Sequence, residues 1–284
     1  MIARAFAPAK INLTLQVGRP RADGLHPLQS VVAFADVGDD VSAETSDMIS
    51  LRVTGPFASE LVGENLVTRA AEALRAAAEI QAGAALTLEK RLPIASGIGG
   101  GSSDAAATLK ACNALWSLNW SEAQLADIAQ GLGADVPVCV HAQAAYMTGA
   151  GETYAPMTLP KCFAVLVNPR TPLATPEVYR EFDRLGLGEN FVTSPPPRWT
   201  EARAMIEALK TIGNDLQAPA EKLQPTIRHI MDALQADART HHVSLSGSGA
   251  TVFALVGSET DATSLAAHLR ALHPSWWSVP TTLA

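Results

Sequence analysis

The stretch Gly97-Ile98-Gly99-Gly100-Gly101-Ser102-Ser103 places four glycines within five positions and runs directly into a helical pattern. Because glycine adopts backbone conformations closed to other residues, such a run lets the chain turn tightly and approach an anion closely. The start of the following helix adds unpaired backbone N–H groups and the positive end of the helix dipole. The sequence therefore predicts a phosphate-binding loop, and the alternative is a flexible linker that ends in a serine helix cap.

Several better-known phosphate and hydrolase motifs are absent from the sequence. No Gly-Lys-Ser/Thr occurs anywhere in the chain, so the glycine loop is not a Walker A loop. The loop also departs from the Gly-x-Gly-x-x-Gly spacing of a dinucleotide-binding turn. Neither His-Glu-x-x-His nor Gly-x-Ser-x-Gly is present, which argues against a zinc protease and a serine hydrolase.

Residues 11–17 alternate strictly between apolar and polar side chains. The apolar members are Ile11, Leu13, Leu15 and Val17, and the polar set is Lys10, Asn12, Thr14 and Gln16. This period of two predicts a half-buried strand. Lys10 and Asn12 are expected to project together from its polar face.

Strand and helix patterns are mixed along the rest of the chain. Strands are predicted near residues 31–41, 49–53, 86–88, 163–167, 243–246, 251–256 and 276–279. Helices are predicted over residues 65–79, after the glycine loop, from the capping box at Ser121, and over residues 201–210, 226–237 and 262–272. Residues 168–199 are predicted to be rich in loops, and Pro137 biases Val136 toward an extended conformation. This mixture indicates an α+β fold.

Composition and charge narrow the class of protein. Hydrophobic residues make up 48% of the chain and charged residues 17%, which is typical of a chain with a packed core. The net charge of −7 argues against a nucleic-acid partner, because phosphate backbones need a basic face. The N-terminal residues lack the apolar core of a signal peptide, and no apolar run approaches the ~20 residues that a membrane helix needs. We therefore expect a soluble cytoplasmic protein that acts neither on nucleic acid nor at a membrane.

The three cysteines are Cys112, Cys139 and Cys162. Their number is odd and no pair has the Cys-x-x-Cys spacing. This pattern favours buried thiols in a reducing compartment over a zinc site or a nucleophile.

Several polar residues are weak signals when taken singly. Lys10 alone is typical of an exposed strand lysine, and Asp135 alone of a turn or helix-cap aspartate. Asp104, expected in the first turn of its helix, matches the helix dipole, with a magnesium-linked role as the alternative. His26 alone indicates a surface loop residue, and the pair His241-His242 lacks further metal-ligand spacing and indicates a structural role.

Three segments occur together in a recognisable order. They are Pro8-Ala9-Lys10-Ile11-Asn12-Leu13, Pro93-Ile94-Ala95-Ser96-Gly97-Ile98-Gly99-Gly100-Gly101-Ser102-Ser103, and Ser244-Leu245-Ser246-Gly247-Ser248-Gly249-Ala250. The last segment alone is equally typical of a hairpin turn. Together the three resemble the GHMP kinases, a family named for galactokinase, homoserine kinase, mevalonate kinase and phosphomevalonate kinase. The resemblance runs from about Ala7 to Leu255.

Further segments narrow the resemblance within the family. They are Arg21-Ala22-Asp23-Gly24 with His26, Glu64-Asn65-Leu66, and Gly133-Ala134-Asp135-Val136-Pro137. These are similar to members that phosphorylate the 2-hydroxyl of a cytidine diphosphate-linked methylerythritol, on the methylerythritol phosphate route to isoprenoid precursors. The alternatives are another kinase of the family, such as a mevalonate or homoserine kinase, and a catalytically silent nucleotide-binding regulator. Residues 21–26 argue against the first, and the presence of both Lys10 and Asp135 argues against the second.

The resemblance implies a two-lobed GHMP kinase fold of the α+β class. An N-terminal α/β lobe with the glycine-rich phosphate loop is placed over residues 1–157, and a ferredoxin-like C-terminal lobe over residues 158–284. ATP and Mg²⁺ are the implied cofactors, and the partner is a small-molecule substrate; the protein itself is expected to be a monomer or a homodimer. Asp135 is implied to be the general base and Lys10 its charged partner. A positioned base contributes roughly 10²–10⁴-fold to rate, and a nearby ammonium favours an ionised carboxylate.

The binding residues are implied by the same resemblance. Asn65 is placed close to the nucleotide base, and Mg²⁺ near Ser102 or Ser103. The loop residues implied to bind ATP are Pro93, Ile94, Ala95, Ser96, Gly97, Ile98, Gly99, Gly100, Gly101, Ser102 and Ser103. The residues implied to bind the cytidine-bearing substrate are Asn12, Leu25, His26, Thr175, Tyr179 and Gly247. The position before His26 is usually aromatic in the family, so Tyr179 is expected to stack on one face of the cytosine while Leu25 packs against the other.

Overall fold

The structure, a computed structural model, describes residues 2–61, 63, 65–189 and 193–284. Glu64, part of one segment quoted above, lies outside the described residues. The chain forms two compact units that interleave along the sequence. The first unit comprises the chain up to Lys10 together with Val37–Ile94 and Gly99–Ala142, and the second comprises Ile11–Asp36, Ala95–Ile98 and Gln143–Ala284. The lobe boundary between residues 157 and 158 stays a prediction.

Strands and helices alternate irregularly along the described residues, which confirms the α+β class. The strands are β1 (Ile2–Asn12), β2 (Gln16–Val17), β3 (Leu28–Ser46), β4 (Ser50–Thr54), β5 (Gly83–Glu89), β6 (Ala145–Thr148), β7 (Thr153–Pro156), β8 (Cys162–Asn168), β9 (Thr240–Leu245), β10 (Val252–Val256) and β11 (Trp277–Leu283). The helices are α1 (Leu66–Ala77), α2 (Gly100–Leu115), α3 (Glu122–Ala129), α4 (Val136–His141), α5 (Thr175–Arg184), α6 (Ala202–Ile212), α7 (Gln217–Leu223), α8 (Thr226–Gln235) and α9 (Glu259–Leu272).

In the first unit, helices α1 to α4 pack against one another beside a small sheet. Strand β5 pairs in parallel with β4 and antiparallel with residues 40–46 of β3. Helix α1 buries Val67, Ala70, Ala71 and Leu74, which recur at the spacing of one helix face. The predicted capping box at Ser121 and Gln124 is confirmed, and it begins α3.

In the second unit, β8 lies between β11 and β10, and β9 follows β10; all of these pairings are antiparallel. Val165, Val167, Ala254 and Val256 pack with apolar side chains of α8 and α9 in one buried cluster. The antiparallel pairing of β9 with β10 confirms that residues 246–251 form a hairpin turn. The first residues of β3 pair with β2 and β6.

The prediction of a half-buried strand over residues 11–17 is wrong in two respects. The strand β1 begins at Ile2 and ends at Asn12, and only Gln16–Val17 return to strand pairing. Its polar face is also buried, since Lys10 is 3% and Asn12 is 7% exposed. Hydrogen bonds explain this burial, because Asn12 Nδ2 donates to Ser30 Oγ and satisfies a polar group that would otherwise require water.

Proline accounts for three further differences between the sequence prediction and the structure. Residues 168–199 contain the helix α5, whose Pro176 lies in the first turn, where a proline lacking an N–H costs nothing. Pro219 likewise lies in the unpredicted helix α7. The extended conformation predicted for Val136 is wrong for the same reason, because Val136 and Pro137 form the first turn of α4.

The three cysteines are free and buried, as predicted. Burial raises the pKa of Cys112 and of Cys139 to about 12, so both thiols stay protonated at neutral pH. Every helix within the described residues is too short or too polar to span a bilayer.

Candidate active site

Lys10 and Asp135 form an ion pair in the first unit, with Lys10 Nζ 2.8 Å from Asp135 Oδ2. Lys10 stands near the end of β1, and Asp135 immediately precedes α4. The Asp135 side chain makes no hydrogen bond to the start of its helix, and its carboxylate pairs with Lys10 instead. The Lys10 side chain is 4% exposed and that of Asp135 is 40% exposed. A partly exposed carboxylate is therefore held by a buried ammonium.

The glycine loop packs directly against this ion pair. Gly99 precedes the first residue of α2 with φ +62°, a left-handed conformation that favours glycine. A Cβ at Gly99 would lie 3.0 Å from Lys10 Cβ and 3.2 Å from Lys10 Cε. The N–H groups at the start of α2 have no partner within the helix and lie beside the ion pair, which suits an anion.

The two serines of the loop differ in their availability. Ser103 is 1% exposed, and its hydroxyl donates to Pro8 O at 2.7 Å and contacts Cys139 Sγ at 3.4 Å. Ser102 is half-buried. The Ser103 hydroxyl is therefore committed to holding α2 against β1, and Ser102 is the serine that fits a ligand or metal.

A second ionic group, which sequence reasoning missed, lies under the start of α2. Lys90 Nζ bonds both Asp39 and Asp104, at 2.7 Å to the latter, and all three side chains are buried. Asp39 also accepts hydrogen bonds from the backbone N–H groups of Arg91 and Leu92. The cluster thus joins β3, the segment after β5 and helix α2 at one point.

The charges of this cluster are unevenly compensated. Burial lowers the pKa of Lys90, but the attraction of Asp104 and Asp39 outweighs it and raises that pKa overall. Burial raises the pKa of Asp104 to about 7 despite Lys90, with the like charge of Asp39 adding to the effect. Within the described residues, Asp104 Oδ1 is buried without a hydrogen-bond partner. Asp104 is the fifth residue of α2, so the prediction that it lies in the first turn is wrong.

In the second unit, Asn12 and Gly247 lie together. Asn12 N donates to Ser246 Oγ at 3.1 Å, and Ser246 Oγ donates to Gly97 O at 3.0 Å. A Cβ at Gly247 would lie 2.7 Å from Gly97 O and 3.3 Å from Asn12 Oδ1. These contacts hold the first loop residues, 95–98, against the β9–β10 turn; the bond from Thr251 N to Ser96 O, 3.0 Å long, adds to them.

His26 and Tyr179 also lie together in the second unit. Their ring centroids are 4.9 Å apart, and His26 Nε2 lies 3.4 Å from Asp183 Oδ1. The His26 side chain is 8% exposed, so the interpretation of His26 as a surface loop residue is wrong. Leu25 is 53% exposed and does not pack into this group, which leaves its apolar side chain available to a ligand.

Two other predicted binding residues have local structural roles. Asn65 caps α1, since its Oδ1 accepts from Val67 N at 2.9 Å. Thr175 begins α5, and its hydroxyl lies 2.8 Å from Ser248 Oγ in the β9–β10 turn. Either role is compatible with ligand contact through the remaining polar atoms of the side chain.

The described residues contain no group of three or more His, Cys, Asp and Glu side chains that could hold a metal ion. Mg²⁺ commonly keeps several waters and binds through substrate phosphates and one or two protein ligands. The half-buried Ser102 at the start of α2 fits such a site, whereas the buried hydroxyl of Ser103 does not.

The chain is similar to known kinases over nearly its whole length. The family description "GHMP kinases N terminal domain" matches residues 65–143, and "GHMP kinases C terminal" matches residues 195–275. A 4-diphosphocytidyl-2-C-methyl-D-erythritol kinase of Paramagnetospirillum magneticum is 44% identical over 279 residues, covering 98% of this chain and 97% of the relative. The protein of the same name from Ruegeria pomeroyi is 47% identical over 283 residues, covering 98% of each.

Solved structures agree with these sequence relatives. A crystal structure of 4-(cytidine 5'-diphospho)-2C-methyl-D-erythritol kinase has a TM-score of 0.80 at 34% identity and covers 99% of both chains. The mevalonate kinase of Methanococcus jannaschii has a TM-score of 0.67 at 14% identity, covering 100% of this chain and 98% of that one. At 14% identity, the similarity to the mevalonate kinase supports the fold but not the activity.

Proposed function

The chain belongs to the GHMP kinase family, among the 4-diphosphocytidyl-2-C-methyl-D-erythritol kinases, and we propose that it transfers the γ-phosphoryl group of ATP to the 2-hydroxyl of 4-diphosphocytidyl-2-C-methyl-D-erythritol. The observation that carries the proposal is the ion pair of Lys10 and Asp135, against which the glycine loop packs. This reaction needs a proton acceptor beside an anion-binding backbone, and the proposal assigns these roles to Asp135 and to the N–H groups at the start of α2 in the first unit.

In the proposed mechanism, Asp135 accepts the proton of the substrate hydroxyl as the oxygen attacks the γ-phosphorus, and the bond from that phosphorus to the β,γ-bridging oxygen breaks to release ADP. A hydroxyl is a poor nucleophile while it keeps its proton, and a positioned base contributes roughly 10²–10⁴-fold to rate. The Lys10 ammonium, 2.8 Å from the carboxylate, holds Asp135 in place and offsets negative charge on the attacking oxygen. Its burial restricts the lysine to this one orientation.

ATP is proposed to bind at the glycine loop, with its phosphates on the N–H groups of residues 99–102 and its base near Asn65. Mg²⁺, when bound, would neutralise phosphate charge during transfer. Ser102 is the loop hydroxyl proposed to reach the metal, because the Ser103 hydroxyl already donates to Pro8 O. The rest of the loop assignments, from Pro93 onward, belong to the same proposal.

The substrate-binding assignments in the second unit are also part of the proposal. Tyr179 and His26 lie side by side and are proposed to recognise the cytosine, by stacking and by hydrogen bonding respectively. Leu25 is proposed to cover the other face of the base through its exposed side chain. Asn12, Thr175 and Gly247 are proposed to contact the remainder of the substrate. A cytoplasmic location and a monomeric or homodimeric state stay predictions.

A substrate panel with coupled ADP detection tests the proposal. Purified protein should release ADP with the cytidine diphosphate substrate and should leave mevalonate and homoserine unchanged. Turnover of mevalonate alone would replace the proposed substrate. ATP binding without turnover of any panel member would favour a nucleotide-binding regulator.

The Asp135→Asn variant tests the mechanism, because the carboxamide keeps the shape but cannot accept the proton. We expect kcat to fall by roughly 10²–10⁴-fold with ATP affinity nearly unchanged. Asp127→Asn, at an exposed aspartate of α3, is the matched control and should keep full activity. Near-normal kcat in Asp135→Asn would remove Asp135 from the role of general base.

A further inference from the structure

A pocket of about 420 Å³ opens in the second unit beside helix α6 and the ends of β8, β9 and β10. Its volume falls in the range of small-molecule sites, about 300–1,000 Å³. The floor is apolar, since Cys162, Leu255 and Val256 line it and are buried. Every lining residue belongs to the second unit, and none of them is among the residues assigned above to ATP or substrate.

The rim of this pocket is basic. Lys161, Arg203 and Lys210 line it together with His241, and Glu207 is the one acidic residue among those that line it. Three cations and one carboxylate leave a charge of +2. The rim is therefore positively charged, whereas the whole chain has a net charge of −7.

The cations are only partly neutralised by the protein itself. Lys210 Nζ bonds Glu207 Oε1 at 2.8 Å, and this bond is the main cause that lowers the pKa of Glu207, with a small contribution from the charge of Arg203. Among the described residues, neither Arg203 nor Lys161 forms an ion pair with a carboxylate. Lys161 Nζ instead lies 5.7 Å from the centre of the Phe163 ring, over another wall of the pocket.

We propose that this pocket binds a phosphate monoester that carries a short aliphatic body. A phosphate group bears a charge of about −1.5 to −2 and three strong acceptor oxygens, which matches a rim with a charge of +2. The buried floor residues and Phe163 offer apolar contact for a few carbon atoms. A carboxylate would leave part of the rim charge unmatched, and a nucleic-acid strand would need a basic surface more extended than one pocket.

Binding of n-hexyl phosphate to the full chain tests the proposal by calorimetry, with inorganic phosphate and 1-hexanol as probes of the head group and the apolar body alone. We expect n-hexyl phosphate to bind at least about tenfold more tightly than either probe. The double variant Lys161→Ala/Arg203→Ala should lose at least about tenfold in affinity, because both charge-assisted contacts disappear. Equal affinity for n-hexyl phosphate and inorganic phosphate would overturn the apolar part of the proposal.

The matched control is Arg270→Ala, at an exposed arginine of helix α9 that does not line the pocket. It should bind n-hexyl phosphate like the unmodified protein. Undiminished binding by the double variant would place the ligand elsewhere, such as at the glycine loop, and would overturn the proposal. Thermal unfolding of each variant checks that it is folded. If the double variant is unstable, the single variant Arg203→Gln replaces it, and its affinity for n-hexyl phosphate is expected to fall several-fold.

Discussion

Removing the ammonium of Lys90 should destabilise the protein more than removing any exposed lysine. In Lys90→Met the side chain keeps nearly its length and apolar stem, but Asp39 and Asp104 lose their shared cation. Their side chains are 0% and 4% exposed, so water cannot replace it. Breaking a buried ion pair by removing one partner costs about 3–5 kcal/mol, because it leaves an uncompensated buried charge.

The matched control is Lys110→Met. Lys110 Nζ also contacts a carboxylate, Glu122 Oε1 at 2.9 Å, but the two side chains are 31% and 50% exposed. Exposed pairs of this kind contribute about 0–1 kcal/mol. The free energy of unfolding of both variants is measured by urea titration at pH 7, followed by circular dichroism. A loss below about 1 kcal/mol in Lys90→Met, equal to that of the control, would refute the reasoning.

The pH dependence of the same pair of measurements sharpens the test. The folded pKa of Asp104 lies above its ordinary value of 3.8, so its contribution to stability is present at low pH and is lost as pH rises through about 7. Without Lys90, the carboxylates can be neutralised only by protonation at low pH. The loss in free energy of unfolding caused by Lys90→Met should therefore be smaller at pH 5 than at pH 8. A loss that grows toward pH 5 would contradict this reasoning.

Three further predictions concern the loop, the cytosine and the buried carboxyl. Gly99→Ala should lower kcat at least about tenfold, because its Cβ meets Lys10 at 3.0 Å in a left-handed conformation. The control Gly131→Ala, whose Cβ meets only Ile128 O at 3.6 Å, should stay active, and an equal loss of activity in both variants would refute the argument. Leu25→Tyr should lower KM for the cytidine-bearing substrate, as base stacking on an aromatic ring contributes about 1–3 kcal/mol, and an unchanged or raised KM would count against stacking at that position. Between about pH 4 and pH 7, the Asp104 carboxyl of the wild type causes a loss of stability that Asp104→Asn should remove. The free energies of unfolding of the variant and the wild type should therefore converge as pH rises. Parallel curves would contradict the raised pKa of Asp104.

Local patterns in the sequence were enough to predict much of the fold. The glycine loop, the capping box at Ser121 and the β9–β10 turn are specified by residues close together in the chain, and each was found. Local patterns do not indicate the helix α5, because proline is usually a loop signal, whereas a proline in the first helical turn is favourable.

The charged cluster under α2 was beyond such reasoning. Asp39 and Lys90 are 51 positions apart, and nothing local marks them as partners. A sequence pattern shows that a residue is polar, but whether its face is covered depends on which distant segment packs on it. The same limit explains His26, whose burial arises from α5, more than 140 positions later in the chain. Lys10 and Asp135 were associated through family resemblance, since their separation of 125 positions gives no local signal.

The buried cysteines have a practical consequence for experiments on this protein. The thiolate is the form that reacts with maleimides and oxidants, and burial raises the pKa of Cys112, Cys139 and Cys162 alike. The native cysteines are therefore expected to react slowly with labelling reagents at neutral pH, and none of them needs to be removed. One cysteine introduced at an exposed position, such as Arg52 or Arg228, would carry a fluorophore at a single known place. Nucleotide and substrate binding can then be followed in real time on an otherwise unaltered chain.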